Sequence, residues 1–181
     1  MIWGDKMTYA TEPLSRMQIR KYTYFIRSIL KCNTVLMFPV VRFLEILPSF
    51  IGDKDFCYIV VSDSDLPFNI HAEFDLEENC IRIKESVYEG ACNGVGRDRM
   101  TIVHEIGHVL LLKYNGLKLY RSFDHDIPIY CDPEWQAKCF AGELLIPAHL
   151  IQDMTIEEIS KECGVSPQAA AYQLSTISRK R

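Results

Sequence analysis

The chain has 181 residues, 48% of them hydrophobic and 24% charged, and a formal net charge of −4 with a pI near 5.7. That balance excludes a wholly disordered, collagen-like or membrane-embedded chain, and it offers no global attraction to nucleic acid or anionic lipid. A chain this long buries roughly 70% of the surface its unfolded form exposes, so it needs neither disulfides nor a structural metal merely to stay folded.

In chain order, residues 1–15 carry Asp5, Lys6 and Glu12 and lack the apolar run of a signal peptide. Residues 13–32 read as a first helix, with Met17, Tyr24, Ile29 and Leu30 among basic residues. Residues 39–47 suit a short second helix that Pro48 ends. The period then changes. Three β-leaning runs at 57–62, 70–74 and 80–83 are separated by Asp, Asn and Pro clusters and suggest a small antiparallel sheet. Residues 90–96, rich in Gly and Asn, read as a flexible connection.

Helices return from Arg97. One covers residues 100–114 and stops near Asn115-Gly116. Residues 117–131 form a long loop of the kind often found beside functional sites. Asp132 is an N-cap with Pro133 at the first helical position, and that helix runs to about Ile146. Thr155 and Glu158 make a capping box for the next helix, Gly164 ends it, and Ser166-Pro167 opens the last.

The apolar stretch 25–51 is broken by Arg27, Lys31, Arg42, Glu45 and two prolines, whereas a bilayer span needs ~20 predominantly apolar residues. The seven scattered cysteines include no CxxC pair; free thiols in a reducing, cytoplasmic setting are the expectation.

His104-Glu105-Ile106-Gly107-His108 matches H-E-x-x-H. On a helix the two imidazoles stand one turn apart and can reach one ion. Glu105 sits about 100° around the helix from His104, where it can contact a water on that ion without becoming a ligand. Zinc lowers the pKa of such a water from 15.7 to about 7, and Glu105 can take its proton and pass it to a leaving amine. The alternative is an ordinary amphipathic helix that happens to hold two histidines. A third ligand decides between them, and the residues alone leave it open. Glu134 has a ready structural role at a helix N-terminus, pairing with Lys138. Asp124, His125, Asp126, Cys131 and Glu143 are rivals.

Arg97-Asp-Arg-Met-Thr-Ile-Val-His-Glu-Ile-Gly-His108, followed by Glu134-x-x-Ala137-x-x-Phe140-Ala141-x-Glu143-Leu-Leu-Ile-Pro147, resembles the ImmA/IrrE-type metallopeptidases. The resemblance is strong over 97–147, extends from about 57 to 177, and leaves the first 50 residues uncovered. Met100, Val103 and Ile146 depart from the pattern as apolar-for-apolar replacements. The resemblance implies a gluzincin-like site: His104, His108 and Glu134 holding one Zn²⁺ per chain, with Glu105 as the base. It further implies an endopeptidase acting on a protein substrate, a helix-turn-helix repressor of a mobile element or stress regulon. The oxyanion stabiliser stays open, with His125 and Tyr130 within reach from the loop.

Residues 156–174 have the spacing of a helix-turn-helix. The second helix offers Gln168 and Gln173 but no Arg or Lys before Arg179, which favours packing or partner recognition over DNA contact. A non-proteolytic antirepressor module and, behind it, a DNA-binding regulator are the rival functions. The expected fold is α+β: a helical segment (1–56), a metallopeptidase core with the small antiparallel sheet against the active-site helix (57–152), and a C-terminal helical pair (153–181). The strand preceding the active-site region offers an edge to an extended peptide.

Overall fold

The computed structural model describes residues 8–114, 120–122 and 127–178. It is α+β, with seven α-helices and a three-stranded mixed sheet among the described residues. A short strand β1 (Thr8–Ala10) precedes α1 (Arg16–Ile29) and α2 (Val40–Ile51). Then come β2 (Cys57–Val61), β3 (Ala72–Asp75) and β4 (Cys80–Lys84), followed by α3 (Glu85–Cys92) and α4 (Gly96–His108). A π-helical turn, Val109–Tyr114, continues α4. After β5 (Tyr120–Ser122) come α5 (Pro133–Leu145), α6 (Ile156–Cys163) and α7 (Pro167–Ser178).

Local chemistry accounts for most boundaries. Ser15 and Gln18 form a capping box at the start of α1, and Thr155 and Glu158 form another at α6. Gly164 takes φ +63° at the C-cap of α6, a left-handed conformation that glycine adopts without a Cβ penalty. Three expectations need correction. Pro48 does not end α2 but lies inside it. The helix continues for one more turn because Phe50 packs edge-on against Phe43 at 5.4 Å, and Gly52 at φ +68° closes it. Residues 85–92, partly assigned to a flexible connection, form α3, where Val87 and Ala91 four apart are both buried.

The sheet is mixed rather than antiparallel. Its order is β2-β4-β3, with β2 parallel to β4 and β3 antiparallel to β4. The segment 62–71 carries the chain past the place where β3 would pair with β2, so β4 enters between them. The strand just before the active-site region, β4, is therefore paired on both sides, and among the described residues the sheet edge nearest the site is β3.

One buried cluster runs from Leu14, just before α1, and Ile19 on α1, through Ile81, Ile83, Ile102 and Phe140, to Ile159 and Ala170 of the last two helices. Within the loop expected at 117–131, β5 pairs antiparallel with β1 and residues Ile129–Cys131 form a 3-10 turn. No helix among the described residues is long and apolar enough to cross a membrane.

All seven cysteines are free thiols; Cys57 and Cys92 are exposed, while Cys32, Cys80, Cys139 and Cys163 are buried. Burial pushes the Cys80 and Cys139 thiols up to about 12 and Cys163 up to about 11. An aromatic disulfide reagent at pH 8 should therefore modify Cys57 and Cys92 quickly and spare the buried Cys32, Cys139 and Cys163 until the chain is unfolded, whereas Cys80 lies against Cys57 and can displace the reagent from it. Rapid loss of the Cys139 thiol in the native protein would contradict this packing.

Candidate metal centre

Close packing of α4 on α5 brings the site together. Gly107 faces α5, where an added Cβ would lie 3.1 Å from the Phe140 ring and 3.3 Å from Ala137 Cα. A hydrogen at this position, opposite the small Ala137, lets the two helices approach. The turns that carry His104, His108 and Glu134 then meet. At the start of α5 the Asp132 side chain accepts the Glu134 N–H at 2.8 Å, fixing the turn that carries Glu134.

His104 and His108 are one turn apart on α4, with ring centroids 4.6 Å apart and planes at 89°. Their Nε2 atoms lie 3.1 Å from each other. Glu134 reaches both, Oε2 to His104 Nε2 at 3.3 Å and Oε1 to His108 Nε2 at 3.1 Å. The ligand atoms of these three residues all lie within 4.8 Å of one another, a group that could hold a metal ion. Hydrogen bonds from His104 and His108 hold the Glu134 carboxyl well below the usual carboxylate range.

Glu105 is buried, unlike the half-exposed Glu134. Desolvation pushes its carboxyl up; the neighbouring His104 and His108 oppose that push, and the Phe74 backbone amide of β3 assists them. A cleft of about 570 Å³ opens over this group. Its walls come from β3 (Ala72, Glu73, Phe74), α4 (His104, Glu105, His108) and the start of α5 (Pro133, Glu134). The cleft thus lies between the two helices, as the sequence suggests, with the edge strand β3 as a further wall.

The two rival ligands among the described residues, Cys131 and Glu143, are not drawn in. Asp124, His125 and Asp126 lie outside the described residues. Cys131 is partly buried on the 3-10 turn and outside the group. Glu143 is fully buried and bound to two arginines of α1: Arg20 Nε at 2.7 Å and Arg16 Nη1 at 3.2 Å. Lys138 does not pair with Glu134, whose carboxylate is held by the histidines. Tyr130 is exposed and does not line the cleft; its backbone oxygen instead accepts Leu14 N–H and Gln136 Nε2.

Sequence reading missed two contributors. Buried Arg99 donates from Nε to Gly164 O at 3.0 Å and from Nη2 to Cys163 O and Phe38 O, tying the α6–α7 turn to α4. Its signal was the Arg97-x-Arg99 pair, which carries no role without the fold. The other is Phe74, whose backbone meets Glu105 only because β3 lies at the sheet edge. Of the two glutamines offered for reading DNA bases, Gln173 is buried, 1% exposed, and its Nε2 donates to Ile146 O.

No curated protein matches the chain significantly. A family model described as the IrrE N-terminal-like domain, Peptidase_M78, matches residues 63–175. That stretch takes in β3, β4 and both helices that carry His104, His108 and Glu134. With well over half of its length matched, the chain belongs to the IrrE N-terminal-like family of peptidases.

Proposed function

We propose that the protein is a zinc-dependent endopeptidase that cuts a protein substrate, with His104, His108 and Glu134 as metal ligands and Glu105 as the catalytic base. The observation that carries this reading is the convergence of two imidazole nitrogens and one carboxylate beside a second, buried carboxylate. A four-coordinate ion with arms of about 2.0–2.1 Å places its ligand atoms about 3.3 Å apart. The 3.1 Å between the two imidazole nitrogens, and the 3.1 and 3.3 Å from each of them to a different oxygen of the Glu134 carboxylate, bring the three side chains within reach of one such ion. Nitrogen and oxygen donors in a His₂Glu set suit zinc, with a position left open for chemistry.

When bound, zinc supplies Lewis acidity that polarises a peptide carbonyl and lowers the pKa of water from 15.7 to about 7. The chain's own part is positional. Glu105 Oε accepts the proton of the attacking water and delivers it to the leaving amine nitrogen. Its burial keeps bulk water from competing for that proton. The outward edge of β3 beside the cleft suits an extended peptide, whose main chain can add to it as a further strand. The resemblance to ImmA/IrrE-type peptidases supports a helix-turn-helix repressor as the protein that is cut. The burial of Gln173 supports packing, rather than DNA reading, as the work of the C-terminal helical pair.

Native mass spectrometry of the zinc-supplied chain tests the site. One zinc per wild-type chain is expected, weakened or lost in Glu134→Ala. A wild type that stays metal-free after zinc is supplied would refute the reading.

A further inference from the structure

We infer that a second cavity, on the far side of His104 from β3, receives a single bulky apolar side chain from the substrate residue flanking the scissile bond. This rests on the peptidase reading and names the part of the substrate that the site selects. The cavity measures about 400 Å³ and is walled by Met100, His104, Trp135, Ile146, Ala169 and Tyr172. Among the described residues, His104 alone lines both this cavity and the cleft over the metal-binding group. The cavity therefore adjoins the metal-binding group at His104, within reach of the side chain of a residue whose backbone lies at the reacting bond. Side chains of an extended peptide point alternately to opposite sides, so its immediate neighbours point elsewhere. Ligand cavities run about 300–1,000 Å³; the small end of that range suits one large side chain rather than a folded segment.

The lining sets the preference. Trp135 and Tyr172 contribute aromatic surface to the lining, and Tyr172 is 58% exposed, so part of its ring remains open to a ligand beside Arg16. Two cations, Arg16 and Lys138, line the cavity, and among the described residues no carboxylate does. Arg16 stands 5.8 Å from the Trp135 ring centroid and 5.6 Å from that of Tyr172. It is pinned by Glu143 Oε1 at 3.2 Å and by the Tyr172 hydroxyl at 3.1 Å. Glu143 is shared with Arg20, so the cluster keeps a net positive charge, and a lysine or arginine side chain meets repulsion with no partner. The C-terminal helical pair thereby gains a role in selection, because α7 is a wall of the specificity pocket.

Binding to the zinc-loaded full chain tests this, with acetylated glycine, leucine, phenylalanine and lysine hydroxamates as probes in calorimetry. The hydroxamate group anchors each probe on the metal, and only the side chain differs. The leucine and phenylalanine probes should bind about tenfold or more tightly than the glycine probe, the lysine probe no better than glycine. Ala169→Trp, which fills the cavity, and Tyr172→Ala, which removes an exposed wall, should each bring the phenylalanine-to-glycine ratio below about threefold. Equal affinities in the wild type, or an unchanged ratio in both variants, would overturn the pocket while leaving the zinc site standing. A chain that takes up no zinc overturns the peptidase reading and this pocket with it.

Discussion

Glu105→Gln should leave the metal content of the chain unchanged and lower the rate of peptide hydrolysis by about 10²–10⁴-fold, the usual weight of a positioned general base. The substitution keeps the shape and the hydrogen-bonding reach of the side chain but removes its capacity to accept a proton. Glu105 is not a member of the group formed by His104, His108 and Glu134, so zinc affinity should survive. Loss of hydrolysis together with loss of zinc would give Glu105 a structural role instead. Hydrolysis within a few-fold of wild type would remove it as the base. The same variant separates the proteolytic reading from the antirepressor reading: if it still relieves repression in a reporter assay, binding without cutting is sufficient.

Glu143→Ala should destabilise the fold by about 3 kcal/mol, the low end of the range for breaking a buried ion pair from one side. The Glu143 side chain is wholly buried, and Arg16 and Arg20 keep 20% and 23% of theirs exposed. The two arginines can therefore regain some water once the carboxylate is gone, which is why the low end applies. For a chain of this length that loss lowers the melting temperature by about 6–12 °C. Scanning calorimetry reads it directly. A change below about 2 °C would mean that the guanidinium groups find water or new partners at no cost. Replacing all three residues together by apolar ones of similar volume should cost much less than the single change, because no charge is then left alone.

The features legible in the sequence are those decided within one or two helical turns. His104 and His108 share a face because they are four residues apart, and Asp132, Thr155 and Gly164 mark helix ends through bonds to backbone groups close by. The choice between Glu134 and Glu143 was not legible from the residues. Both are acids on α5, and what distinguishes them is Arg16 and Arg20, 127 and 123 positions away from Glu143. The resemblance implies Glu134, and the fold places Glu134 beside the two histidines while Glu143 is held by Arg16 and Arg20. The order of the sheet was hidden for the same cause, since β2 pairs with β4 in preference to the nearer β3. Pro48 misled because its local penalty is real but is outweighed by the packing of Phe50 on Phe43.

Arg27 of α1 is fully buried and donates from Nη1 to Leu144 O at 2.7 Å, in the last turn of α5. That oxygen belongs to the orphan carbonyls every helix leaves at its end, so a residue near the start of the chain closes the helix that carries Glu134. The family match begins only at residue 63. Excising the matched stretch would strip α5 of its terminal donor and open an apolar face that α1 and α2 now cover. A fragment cut to the matched stretch is therefore expected to melt well below the full chain, and a truncation that keeps α1 and α2 to retain more of its stability, a difference that thermal melts of the two fragments would read.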